Sequence, residues 1–319
     1  MKDTMKDTPV FALLGAFLLA TTALADTPCA PVQTFVYKLK PGQEKSLQCS
    51  GSPTKIFDVT VPARGLALAE VLMVMANSPG HATHFWSIGA HVGEGIIHGN
   101  IGDDIASGGN TGRKRVLGYG ELTDAKNHVV VKGRQGSTLC SNGAVTVWSG
   151  ARLRVWVEDP HPACRGKDIV AVSYKNNMKA KGFVRPRIPN FVWPVGVAGS
   201  QDLAITMSTT SDRRNLIVTT AVEGSVDKTI SKLSAGLTID NGLYRVQQTQ
   251  WVPHSEGMGH LVLNPIFSTV YAPPHGEPPE LPLGDHTITH FVRNMSTSVK
   301  AWTLPNCCGD SVMGAVRLP

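Results

Sequence analysis

Apolar residues recur along this chain at every second position, the period of a strand with one buried face. Phe35, Tyr37 and Leu39 alternate with polar neighbours, and residues 56–61 (IFDVTV) follow a Gly-Ser-Pro turn. The stretch 66–76, LALAEVLMVMA, is apolar apart from Glu70; its Ala, Leu, Glu and Met favour helix, but its length and its place among strands read it as a buried strand. Residues 144–158, AVTVWSGARLRVWVE, predict a hairpin with Ser149, Gly150 and Ala151 as its loop. In that register Val147 faces Leu153 and Val145 faces Val155, while Trp148, Arg152, Arg154 and Trp156 share the opposite face. A slip of one residue would mix the two faces. Another strand is expected over 169–174. After a stretch rich in Lys, Arg, Asn and Pro at 175–195, strands are read at 203–207, 216–222, 243–252, 260–271 and 286–293. One short helix is expected, with Ser225 as N-cap, Val226, Ile230 and Leu233 on one face and Gly236 as its stop. The proline-rich run 272–283 reads as a surface loop.

This pattern is all-β. It predicts two antiparallel β-sandwich domains in tandem, of the jelly-roll or Ig-like kind, with little helix. The expected division is 26–180 for the first domain, 181–195 for a linker and 196–319 for the second. A chain of 319 residues exceeds what one core commonly serves.

Composition changes this picture in one respect, by placing the protein outside the cytosol. Residues 10–20, VFALLGAFLLA, form an apolar run of signal-peptide length, and Ala23 and Ala25 supply an A-x-A-like cleavage site. Cleavage is expected after Ala25, giving a secreted or periplasmic chain that does not span a membrane. Only 17% of residues are charged, which suits an exported β protein. The six cysteines, Cys29, Cys49, Cys140, Cys164, Cys307 and Cys308, then read as disulfides. Nearness along the chain pairs Cys29 with Cys49 and Cys140 with Cys164, leaving Cys307 and Cys308. The net charge of +6 is scattered rather than gathered into a stripe. Nucleic acid is therefore not expected as a partner, and anionic surfaces or glycans remain.

Four sets of residues carry candidate chemistry. The hairpin face with Trp148, Arg152, Arg154 and Trp156 suits a glycan, because aromatic rings stack on sugars and Arg binds hydroxyls, sulfates or carboxylates. The stretch 78–112 holds His81, His84, His91 and His98 beside an exposed-looking Trp86. A turn at Glu94-Gly95 sets His91 opposite His98, with Cβ atoms ~5 Å apart, close enough to share zinc or copper. His84 points to the other face unless a bulge at Gly89 or Gly93 turns it. Asp103 and Asp104, after a glycine-rich turn, resemble one turn of a calcium-binding β-roll. His254, Met258 and His260, with Glu256, alternate onto one side and suit a soft metal such as copper. His286 and His290 fall on the apolar side of their strand, as hydrogen-bonded, half-buried histidines do.

Two β domains with histidines in each, and a methionine beside those of the second, are similar in architecture to the two-copper peptide monooxygenases. No copper-ligand motif of that family matches residue by residue, so no ligand is carried across. G-x-S-x-G, H-E-x-x-H and a Walker loop are missing from the sequence. The function expected is an exported, disulfide-stabilised binding protein for a glycan or cell-surface partner. The alternative is an exported copper- or zinc-dependent enzyme built on the histidines of 81–98.

Overall fold

The computed structural model describes residues 29–81, 84–105, 107–136, 144–173, 191–193, 198–226, 232–240, 244–251, 260–270, 280–294, 300–303 and 311–319. All its ladders are antiparallel, and its one helical turn among the described residues is a 3-10 turn at Pro162–Cys164. Among the described residues no helix is long and apolar enough to cross a membrane.

Among the described residues the strands form five sheets. A four-stranded sheet runs Thr54–Thr60, His128–Gly136, His84–Val92, Gly99–Ile105. It faces a five-stranded sheet of Gln33–Lys38, Arg152–Val157, Gly65–Met73, Lys114–Leu122 and Glu94–Ile97. A small sheet of Lys45–Ser46, Val145–Val147 and Met75–Asn77 closes one end. In the second half, a seven-stranded sheet is centred on Asn215–Val226 and Val312–Leu318, with Ile169–Ser173 on its edge. It packs on a four-stranded sheet of Ala198–Thr209, Gly284–Asn294, Lys232–Ile239 and Tyr244–Trp251.

Alternation along each strand assigns side chains to layers. In Asn215–Val226, Leu216, Val218 and Val222 join the core of the second half, whereas Ile217 and Ala221 join that of the first. Val312 and Val316 likewise point one way, Met313 and Ala315 the other. The five-stranded sheet is therefore covered on both faces, which is why residues 66–76 are apolar at every position but Glu70. Leu68 reaches the backbone of Gly314 so closely that a Cβ there would stand 2.6 Å from its methyl carbon. Each fully buried Leu or Val in these layers contributes roughly 1.5–3 kcal/mol.

Several expectations are corrected. Residues 145–147 and 152–157 do not pair with each other. Val145–Val147 pairs with Lys45–Ser46 and Met75–Asn77, while Arg152–Val157 pairs with Gln33–Lys38 and Gly65–Met73. The inward positions Val145, Val147, Leu153 and Val155 are buried as expected, because parity alone fixes them whichever strand is the partner. The helix after Ser225 is replaced by strands: Asn215–Val226 continues through Ser225, and Lys232–Ile239 contains Gly236. Phe191–Trp193, inside the expected linker, pairs with Lys300–Thr303. The disulfide joins Cys29 to Cys164, not Cys29 to Cys49 or Cys140 to Cys164. Its cause is the antiparallel pairing Gln33↔Val157, which carries residues just before 33 alongside those just after 157. Cys49 is also disulfide-bonded. With Cys29 and Cys164 joined, its partner is Cys140, Cys307 or Cys308, which lie outside the described residues.

Candidate functional site

The expected glycan face divides at the layer boundary. Trp156 is 1% exposed, because the second-half sheet covers that side of Arg152–Val157. Arg154 lies over its ring, 5.2 Å from the centroid, and stands 3.8 Å from Glu70. Neither residue is offered to a ligand, which corrects the expectation for Trp156 and Arg154. Trp148 differs. It sits in the turn before Arg152–Val157 and is 46% exposed. Its backbone N–H donates to Val74 O at 3.0 Å, and Gly150 takes φ +85°, a left-handed value that most other residues resist.

Trp148 forms one wall of an open cavity of about 330 Å³. Met73 and Val74 line its floor, and Arg113 and Arg152 also border it. The pairings Leu72↔Arg152 and Met73↔Lys114 explain the placement, since the two strands beside Gly65–Met73 bring one arginine to each flank. Among the described residues, Arg113 and Arg152 take part in no ion pair. Their basic neighbours are already committed: Arg115 pairs with Glu70 at 2.8 Å and Lys114 with Asp103 at 2.7 Å.

A larger cavity of about 660 Å³ lies by Cys29, Asp168, Arg213 and Arg317. Its arginines are spent on Asp168, which Arg317 Nε reaches at 2.8 Å and Arg213 at 3.4 Å. Volume favours this cavity, but uncommitted charge beside an exposed ring favours the Trp148 cleft.

Asp103 and Asp104 do not form a calcium loop. They lie within the strand Gly99–Ile105, on opposite faces. Asp103 is buried against Lys114, and Lys114 Nζ also donates to Val262 O at 3.1 Å. Burial outweighs Lys114 and holds the Asp103 carboxyl above the usual range. The glycines read as a loop signature instead permit close packing: a Cβ on Gly99 would stand 1.5 Å from Leu117 O.

His91 and His98 do meet, with Nδ1 atoms 3.1 Å apart and ring centroids at 4.9 Å. The simple hairpin does not form. The ladder with Gly99–Ile105 ends at Ala90↔Gly99, His91 and Val92 stay paired with Val130 and Val129, and Glu94–Ile97 crosses to pair with Lys114–Leu122 in the facing sheet. Burial, then His98, then Lys132, hold His91 below the usual histidine range. His84 does not join them. Its strand pairs without a shift to Gly99–Ile105, so His84 points into the interior together with Trp86, which is buried and not exposed. No cluster of three or more His, Cys, Asp or Glu stands ready for a metal among the described residues. His254 and Met258 lie outside those residues, as does the His260 side chain.

His286 is hydrogen-bonded, as its place on the apolar side of the strand predicts, and is buried rather than half-buried. Nδ1 lies 2.7 Å from Asp240 and Nε2 lies 2.9 Å from Pro282 O. Nε2 also stands 3.2 Å from the hydroxyl of Thr209, which donates to Pro282 O at 2.6 Å. His286 is a buried structural link, and its position on the apolar side of the strand was the available signal.

No family model matches the chain, and no curated protein matches it in sequence. Among solved structures it is similar to PNGase F, a glycosylasparaginase from Flavobacterium meningosepticum, at 11% identity and a TM-score of 0.36, covering 90% of this chain and 96% of that one. It is also similar to the STIV MCP, at 10% identity and a TM-score of 0.24, covering 89% and 96%. The insecticidal delta-endotoxin Cry8Ea1 from Bacillus thuringiensis matches at 8% identity and a TM-score of 0.25, covering 89% and 60%. At these TM-scores the likenesses carry no argument about function.

Proposed function

We propose that this chain is an exported glycan-binding protein, of the adhesin or lectin kind, that holds an acidic sugar in the Trp148 cleft. The observation that carries the reading is the exposed Trp148 ring between Arg113 and Arg152, two arginines without an ion-pair partner among the described residues. An indole face takes the apolar side of a pyranose ring, and a guanidinium takes a carboxylate or sulfate in a bidentate pair. The signal-like leader and the disulfide agree with an oxidising compartment outside the cytosol. The net charge of +6 favours an anionic glycan over a neutral one.

The test is a glycan array followed by calorimetry with the best oligosaccharide. Uronate- or sulfate-bearing glycans are expected to bind, with affinity falling as salt rises. Trp148→Ala should weaken binding at least about tenfold, the effect of losing ~1.4 kcal/mol. Arg152→Ala should weaken binding of acidic glycans selectively. Unchanged binding in Trp148→Ala would remove the cleft from the account.

A further inference from the structure

The glycan reading leaves the contact between His91 and His98 without a purpose. We propose that these two residues form a binding site for one divalent transition-metal ion, coordinated by both Nδ1 atoms, with Cu(II) held tightest. The inference does not rest on glycan binding.

Geometry comes first. Bonds of ~2.0–2.1 Å to a tetrahedral ion set two ligand nitrogens about 3.3 Å apart, and a right-angled pair sets them about 2.9 Å apart. The observed 3.1 Å lies between these values. An ion placed between the rings would take the lone pair of each Nδ1, where a single shared proton now satisfies the contact.

The pair also stands ready before any ion arrives. Ala90↔Gly99 fixes the strands beneath it, and Gly93 N donates to His128 O at 2.9 Å. Glu94–Ile97 is bound into the facing sheet, so the connection cannot swing. Gly95 makes room for the His98 ring, because a Cβ there would stand 2.1 Å from its Cε1. Rings held in place lose little freedom on binding.

Charge and access agree. A metal needs both imidazoles in the neutral form, in which each ring has a nitrogen lone pair to give. Lys132 is the nearby cation that opposes an ion, acting on His91 from the neighbouring strand. His98 is exposed and His91 half-buried, so an ion can reach them from solvent. Imidazole suits copper, nickel and zinc, and copper heads the affinity order for nitrogen sites. No third His, Cys, Asp or Glu completes the shell among the described residues. The other positions would be open to water or to a donor group on a bound molecule.

The experiment is a Cu(II) titration of the purified chain near neutral pH, against a chromophoric chelator, with electron paramagnetic resonance of the loaded protein. One ion per chain with nitrogen hyperfine structure is expected. His98→Ala, at an exposed position that leaves the core intact, and His91→Ala should each weaken the site at least about tenfold. Gly95→Ala keeps both imidazoles and displaces one, so it should weaken the site as well. His128→Ala, an exposed histidine on the same sheet that pairs with Asp58, should bind as the wild type does. An unchanged site in His98→Ala overturns the proposal. So does a wild-type chain with no saturable site tighter than about 100 µM.

Discussion

His84 brings two ring nitrogens into a fully buried position, and neither has a hydrogen-bond partner among the described residues. Burial, then the neighbouring His81, hold its pKa below the usual histidine value. An unfolded histidine takes up a proton near ~6.5. Below that pH the unfolded chain binds more protons than the folded one, so stability falls until the depressed folded value is reached. His91 adds to the same slope. His84→Leu should therefore melt higher than the wild type, with a larger gap at pH ~5 than at pH ~8, since an orphaned polar group costs ~1–3 kcal/mol at any pH. Melting curves at both values check this, and a variant less stable at both would refute it. Residues of this kind mark how far sequence reading reaches. The register that ends at Ala90↔Gly99 sets His91 beside His98, although the connection between them crosses to the facing sheet. Trp148 and Trp156 have the same parity, and the difference between them is set by strands from the second half, which local pattern does not contain.

The misread hairpin shows the corresponding limit for elements. Sorting residues 144–158 onto two faces is correct, but it is equally satisfied when the two strands enter different sheets. Pairing partners are chosen over long distances, and Arg152–Val157 takes Gln33–Lys38 and Gly65–Met73. Glycine misled in the same way. The glycine-rich turn that begins at Gly99 reads as a loop, yet Gly99 lies in a strand, as do Gly118 and Gly120, where backbone from elsewhere comes close. At Gly118 a Cβ would stand 2.7 Å from Ala90 O. Gly118→Ala should then cost ~1–3 kcal/mol, the usual penalty for overpacking. Urea unfolding measures it as a lower midpoint at unchanged slope. An alanine tolerated without loss would mean that the two sheets separate more easily than their packing implies.

For the whole molecule, two-sidedness decides the most. The five-stranded sheet buries charge as well as hydrocarbon where the halves meet. Thr219 donates to Glu70 at 3.1 Å, and Arg115 donates to Asn264 O at 2.9 Å. The all-β class was legible from period-two alternation, whereas this stacking was not, because polar residues at the join look like surface. The same long-range order sets the disulfide. Cys29–Cys164 closes a separation of 135 residues. Its removal in Cys29→Ser with Cys164→Ser should destabilise the chain by about 2–5 kcal/mol. Denaturation of the double variant beside the wild type tests this, and equal midpoints would place the stability elsewhere.

Val312–Leu318 lies between Ile169–Ser173 and Asn215–Val226, with one face toward each core. The ribosome delivers that strand after every other described one. At ~5–20 residues per second, the edge strand at 169–173 waits on the order of ten seconds for its neighbour. During that interval the middle layer is incomplete and apolar faces on both sides stay open. A chain arranged this way completes its middle layer only when its last described strand is released.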